Sequence, residues 1–353
     1  MTTASIRRPE PPTSTGAIIS KRANSSHNRW NWILLGVVAL AGIVLPFILP
    51  AAELSIAMRV LIYALMGIGW NLMSGFGGMF SFGHAAYFGI GAYTTAFLLV
   101  DVGLSPWIGM LVGVVFAAGA AVGISYLALR YKLKGAYFAL ATFAFAEMLR
   151  LFVTGNRALN GSIGFTVPVI RGDTWGMFQF RAGSPIYFWI GTAFLIVALL
   201  ITMFFLRSRA GRFTIAVRDD EMAAAAIGIP VLRHKLVVAG LSGGITALAG
   251  TLYLQFYMFI DPEIAFGHAA SNNAIVTAVV GGVGTLWGPV VGAIIVAPLS
   301  DLATTVLRNP PDWLAFLSGQ SGLDVVLYAI ILIACVLLLP KGIVGTILSR
   351  RRK

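Results

Sequence analysis

Apolar residues along this chain come in long unbroken runs, with little strand-like alternation, and the runs share one recurring length. Segments of about 17 to 25 apolar residues are what a helix rising about 1.5 Å per residue needs to cross a hydrocarbon core. Such segments lie at 32–49, 55–74, 80–99, 107–129, 136–153, 186–206, 236–257 and 323–339. Two further segments, 269–283 and 286–300, hold only about 15 residues each, roughly 22 Å as helix, and are separated by glycines and a Trp-Gly-Pro turn. The pattern predicts an all-α fold: a polytopic transmembrane helical bundle of eight full crossings plus two short segments that are broken or re-entrant.

Composition agrees with that reading. Of 353 residues 58% are hydrophobic and 11% charged, with a mean hydropathy of +0.87, which points to one membrane bundle instead of the two or three soluble domains that length alone suggests. The expected organisation is a disordered cytoplasmic tail at 1–31, rich in Pro, Ser, Thr and Arg, a transmembrane domain at 32–340, and a basic cytoplasmic tail at 341–353. The first apolar run has the length of a spanning helix and ends in Leu49-Pro50-Ala51-Ala52-Glu53 without a small-x-small cleavage site, so it reads as a retained helix and not as a signal peptide.

Charge then supplies orientation. The leading tail, the 130–135 loop, the 207–235 loop and the last fourteen residues together hold 19 of the 25 Lys and Arg. All four fall on one side of the expected crossings, which the positive-inside rule makes cytoplasmic, with both termini inside. Acids concentrate elsewhere, at Glu53, Asp101, Asp173, Asp261, Glu263, Asp301 and Asp312. The net charge of +12 is thereby explained by topology and by contact with membrane lipid, and no basic stripe interleaved with aromatics is left over to bind nucleic acid.

Several chemistries are excluded. The single cysteine, Cys335, rules out an internal disulfide and a cysteine metal cluster. His27, His84, His234 and His268 lack zinc-ligand spacing, so no metal site is expected. No Gly-x-x-x-x-Gly-Lys-[Ser/Thr] occurs and no lysine follows a glycine, so the chain builds no phosphate-cradling loop of its own. Neither a catalytic residue nor a cofactor is expected in this chain.

The loop at 207–235 interrupts the apolar runs with a self-contained helix signature. Asp219 is expected as the N-cap, Asp220 and Glu221 place negative charge in the first turn, Ala223 to Ala226 (Ala224 at the centre) favour helix, Gly228 closes it and Pro230 prevents continuation. A helix of about ten residues is too short to hold alone and needs packing against the bundle or a partner. The alternative is a plain connecting helix at the bilayer surface.

With these residues in view the chain resembles a known family. Asn71-Leu72-Met73-Ser74-Gly75-Phe76-Gly77-Gly78 continuing through Ser81-Phe82-Gly83-His84 to Tyr93 is similar to the signature of inner-membrane permeases of branched-chain amino-acid ABC importers, of the LivM type in particular. So are Lys134-Gly135-Ala136-Tyr137 through Thr142, Arg218-Asp219-Asp220-Glu221 followed by Ala223 to Gly228, and Gly281 through Pro289. The family's Glu-Ala-Ala motif is matched loosely, since Met222 follows Glu221 and the later glycine is displaced by one position. The resemblance implies a non-enzymatic permease subunit in the bacterial inner membrane. Its partners would be a second related permease chain, cytoplasmic ATPases that consume ATP and Mg and dock on the 207–235 loop as a coupling helix, and an extracytoplasmic solute-binding protein. Its solute would be a branched-chain or related amino acid. Urea, short amides or another small polar solute carried by the same machinery is the alternative, as is an ATPase-independent secondary transporter or channel.

Candidates for the pathway are Asn71, Gly75, Gly78, Gly83, His84, Glu147, Gly282 and Gly284. The glycines permit unwound backbone or close helix approach at membrane depth, with ordinary small-residue packing as the alternative for any one of them. Phe82-Gly83-His84-Ala85-Ala86 recurs as Phe266-Gly267-His268-Ala269-Ala270, which is either an inverted repeat of broken helices or a chance recurrence. Glu147 and Arg150 share a helix face near mid-membrane, where they are either groups that meet a zwitterionic solute or a structural pair whose arginine reaches the outer interface.

Overall fold

The computed structural model describes residues 14–169, 172–181, 184–308 and 342–350. Helices account for most of them: α1 (Ser14–Ile48), α2 (Ala51–Trp70), α3 (His84–Val100), α4 (Pro106–Arg130), α5 (Ala136–Gly155), α6 (Ile186–Arg207), α7 (Arg209–Asp219), α8 (Glu221–Ala226), α9 (Val231–Tyr257), α10 (Pro262–Phe266), α11 (His268–Gly281), α12 (Gly288–Arg308) and α13 (Gly342–Arg350). A π-helical turn, Asn71–Phe76, prolongs α2. Six of the described helical stretches are long and apolar enough to cross a membrane: Arg29–Ile48, Ala51–Phe76, Pro106–Arg130, Ala136–Gly155, Ile186–Arg207 and Val231–Tyr257. The fold is an all-α polytopic bundle, and the crossing expected at 323–339 lies outside the described residues.

Helix bounds depart from the hydrophobic pattern where backbone chemistry overrides it. The run expected to cross at 80–99 becomes helical only at His84, so α3 has 17 residues. The preceding amides are taken by side chains: Phe82 N donates to Thr142 Oγ1 at 3.1 Å and Gly83 N to Ser81 Oγ at 3.2 Å. Of the two short segments, α11 is 14 residues long as expected, but α12 runs for 21. Helix α1 starts at Ser14, inside the segment whose composition suggested a disordered tail, because a helix already nucleated by its spanning part extends at little cost per residue. One small departure from all-α content is a two-residue ladder pairing β1 (Phe165–Thr166) with β2 (Phe259–Ile260), which satisfies backbone groups where the 156–185 connection folds back on the end of α9.

Helix α9 lies at the centre, packed against α2, α3 and α4, and α2 in turn packs on α11 and α12. Apolar burial gives no advantage to helix pairing inside lipid, so close backbone approach has to supply it. Small residues along α9 permit that approach. A β-carbon at Gly243 would stand 2.7 Å from the carbonyl oxygen of Ala117 on α4, one at Gly250 would collide with the Phe88 carbonyl of α3, and one at Gly91 with the Ala247 carbonyl of α9. Gly119, on the outer face of α4, has open space instead.

Gly250→Ala is therefore expected to destabilise the solubilised protein by about 1–3 kcal/mol through overpacking. Gly119→Ala should stabilise it slightly, since glycine costs about 1 kcal/mol in a helix interior. Thermal unfolding of both variants in mild detergent checks this, and equal midpoints would refute the contact-driven account.

Candidate functional site

The connection between α6 and α9 is built as two short helices, not one. Ser208 caps α7 by accepting from Gly211 N at 3.1 Å. Asp220 caps α8, its Oδ1 accepting from Met222 N and Ala223 N at 2.9 Å each. This corrects the expectation of a ten-residue helix capped by Asp219. Asp219 ends α7, and its carboxylate is occupied by Arg218, whose Nε and Nη2 donate to Oδ1 at 2.9 and 2.7 Å. Asp220 has the extended backbone (φ −152°, ψ 106°) that an N-cap requires. Gly228 stops α8 as expected: at φ +85° it lets its own N–H reach Ala225 O and that of Ile229 reach Ala224 O, at 3.0 and 3.1 Å. Pro230 then serves as N-cap of α9.

Six residues of helix are not stable by themselves, and two sets of contacts hold them. Ala224 packs with Val217 and Ile229 in a small core separate from the main one. Glu221 bridges two other elements, pairing with Lys134 of the 131–135 loop at 3.1 Å and Lys235 of α9 at 3.0 Å. Burial alone would raise the Glu221 carboxyl, but the two ammonium groups outweigh it and hold the group below the usual carboxylate range. With its anchored side thus occupied, α8 turns Met222 (81% exposed) and, just past its end, Ile227 (78% exposed) outward.

Arg218 ties this connection to the glycine-rich breaks. Its Nη1 donates to Gly75 O in the π turn at 3.0 Å and stands 3.5 Å from where a β-carbon on Gly284 would lie. Gly78, at φ +69°, passes so close to Arg218 that a β-carbon there would be 2.9 Å from Cγ. Asn71, only 2% exposed, clamps the second break to the first, accepting from Gly284 N at 2.7 Å and donating to Thr285 O at 2.8 Å. Gly282 (φ +127°) and Gly284 (φ +73°) supply the turn between α11 and α12. Gly83 is pressed against the Thr142 backbone. His84 is fully buried: Ser242 donates its one hydroxyl proton to Gly69 O at 2.6 Å, so His84 Nε2 must be the donor in the 2.9 Å bond to Ser242. These candidates are brought together, but as buried braces of the breaks and not as an open surface.

Glu147 lies elsewhere. Arg150 grips it with two bonds, Nε to Oε2 at 2.9 Å and Nη2 to Oε1 at 2.6 Å, and extends Nη1 to Glu263 Oε2 of α10 at 3.1 Å. The arginine is thus shared between two carboxylates. Sequence reasoning missed the tie from Arg150 to Glu263 and the placing of His268 and Asn272 on the hollow lined by Phe143 and Ala146 of α5. The interruption of a short apolar helix by Ser271-Asn272-Asn273 was the available signal. His268 stacks on Phe143 with ring centroids 5.0 Å apart. Phe82 and Phe266, one from each copy of the recurring pentapeptide, line one hollow with His268, and just past the second copy Ser271 Oγ accepts from Ala85 N at 2.9 Å. Among the described residues no group of three or more His, Cys, Asp or Glu is placed to hold a metal ion.

Comparison with known proteins is consistent with this architecture. The chain is 28% identical over 290 residues to the high-affinity branched-chain amino acid transport system permease protein LivM of Escherichia coli (strain K12), covering 76% of this chain and 67% of the relative. It is 28% identical over 299 residues to LivH of the same organism, covering 80% and 91%. A shorter likeness, 30% over 147 residues and 40% of each chain, joins it to the fructose import permease protein FrcC of Rhizobium meliloti. No solved structure gives a significant match. Residues 53–336 match the model of one family, and on that extent the chain belongs to the permease components of branched-chain amino acid transport systems.

Proposed function

We propose that this chain is the permease subunit of an ATP-driven importer for branched-chain or related amino acids, working in the bacterial inner membrane beside a second, related permease. ATPase subunits using ATP and Mg dock on the α7–α8 connection, and an extracytoplasmic binding protein delivers solute to the opposite end. The observation that carries the reading is the build of α8. Its N-terminus is capped, its C-terminus is stopped by a positive-φ glycine and its inner side is ion-paired to two other elements, yet it holds Met222 and Ile227 outward. Apolar side chains held rigidly into water suit a protein groove better than a lipid surface, where a broad bulky face is needed. The likeness to a fructose permease supports a second reading, in which the same machinery carries another small polar solute.

The proposed topology has eight crossings plus the α11–α12 pair, with the α7–α8 end and both termini in the cytoplasm. Cysteines placed at Ser208 and Ser349 should then react with thiol reagents from the cytoplasmic side only, and cysteines at Asp173 and Asp261 from the outside only. Reaction of position 173 from the cytoplasm would overturn this arrangement.

Proline at Ala224 removes the amide that bonds Asp220 O at 3.1 Å, a change worth about 3 kcal/mol in a helix interior. The variant should reach the membrane at normal levels but lose ATP-dependent uptake and retention of the ATPase together. Full uptake with the ATPase still bound would leave the connection without a coupling role.

Glu221→Gln tests the anchor itself. A partly exposed bridge is worth about 1 kcal/mol at most, so amide exchange in α8 should quicken roughly fivefold. A carboxyl held below its usual range contributes stability above about pH 4.3, its unfolded value, and loses it as pH falls through the lower folded value. The native chain should therefore show the same roughly fivefold loss of protection, taken relative to the unstructured exchange rate at each pH, on acidification below that point, while the Gln variant shows no such step.

A further inference from the structure

Two adjoining hollows run along one side of α5. The one toward the α10–α11 junction is lined by Phe82, Phe143, His268 and Asn272 among others, and the one toward the 131–135 loop by Phe80, Phe82, Leu140 and Phe143. They share Phe82 and Phe143, so they adjoin along α5 between Gly135 and Ala146 and are taken together as one groove. Ala146 of its lining precedes Glu147, about 16 Å along α5, and the Arg150–Glu263 pair lies further toward the outer end. Arg150 stays charged, so two carboxylates on one guanidinium leave an excess of one negative charge when both are ionised. The pair Arg59–Asp301, between α2 and α12, is balanced by contrast and needs no third group. Glu263 is 69% exposed and two residues from Asp261, so the excess charge stands at the outer mouth of the groove, where a hydrated path carrying cationic groups suits it better than lipid does.

We propose that this groove is the chain's own wall of the solute path, with the Glu147–Arg150–Glu263 cluster receiving the solute's ammonium group and Phe80, Phe82 and Phe143 forming the apolar throat over which its side chain slides. An amino acid with a hydrocarbon side chain has both features, the cation for one end and the apolar part for the other; a sugar or urea lacks the cation. His268 and the Asn272 amide, on one face of α11 and both exposed, supply polar contacts at the same end. The proposal deepens the importer reading and rests on it for the identity of the solute. It can also fail separately, because the accessibility and charge of the groove are measured without ATP.

The test uses membrane vesicles carrying the assembled transporter, in a Cys335→Ser background. Asn272→Cys should react from outside with a cationic methanethiosulfonate about tenfold faster than with an anionic one of similar size, the local charge acting as a focus. The preference should collapse when Glu263→Gln is added. Leu140 and Leu111 are each 63% exposed, but only Leu140 lines the groove. Leu140→Trp should therefore abolish leucine uptake at normal membrane levels, and Leu111→Trp should leave it intact. No reaction with either reagent would place lipid or a partner helix in the groove and overturn the proposal. Equal rates for the two reagents would remove the ammonium site, and equal tolerance of Trp at both positions would remove the throat.

Discussion

Every backbone amide and carbonyl that leaves a helix inside lipid must find its partner within the protein, because hydrocarbon offers none. Among the described residues, side chains meet that demand at the breaks around 71–85 and 282–285. Asn71 is the central case. Its amide both accepts from Gly284 N and donates to Thr285 O, so one residue in the π turn satisfies a donor and an acceptor in the turn between α11 and α12. Arg218 covers the Gly75 carbonyl, Trp70 Nε1 covers that of Ser81 at 2.8 Å, and Thr142 and Ser271 accept from Phe82 N and Ala85 N. The glycines can then take positive φ or pass close to neighbouring backbone because the hydrogen bonds their turns forgo are replaced by others. A residue such as Gly78 is constrained twice, by its φ of +69° and by the Arg218 stem beside it.

How far the fold could be read in the sequence follows from the same physics. Run length is summed over many residues, and it predicted the bundle and six of its spanning helices among the described residues. Helix ends depend on single hydrogen bonds. The N-cap of α8 moved from Asp219 to Asp220 because Arg218 captures the first carboxylate, a competition between neighbours that residue type alone does not reveal. The late start of α3 and the unexpected helix at Ser14 have equally local or cooperative causes. Long-range partners were least legible. Arg150 and Glu147 could be paired from their spacing, but Glu263 lies 113 residues from Arg150, and nothing in a single sequence joins them. Phe82 and Phe266, from the two copies of Phe-Gly-His-Ala-Ala, line the same hollow, a proximity that the recurrence by itself does not predict.

On the importer reading, the arrangement also constrains how a push on α8 reaches the membrane. A partner's motion alters transport only through contacts that differ between two states. Helix α8 offers three ways into the bundle: Glu221 to Lys235 at the start of α9, Glu221 to Lys134 ahead of α5, and α7 through Arg218 to the π turn. The pair with Lys134 is exposed, and water can replace that partner; the pair with Lys235 is largely buried, but it ends on a side chain at the start of α9. The third ends on a backbone carbonyl inside a break whose other side is clamped by Asn71. Displacing α7 therefore either carries the π turn and the α11–α12 turn along together or leaves the Gly75 carbonyl without its guanidinium partner. The second outcome costs more than the loss of the exposed Lys134 pair, because a poorly hydrated carbonyl has little to replace the bond. On that reading the contact at Arg218, beside the bridge at Glu221, would carry movement of the loop to the broken helices.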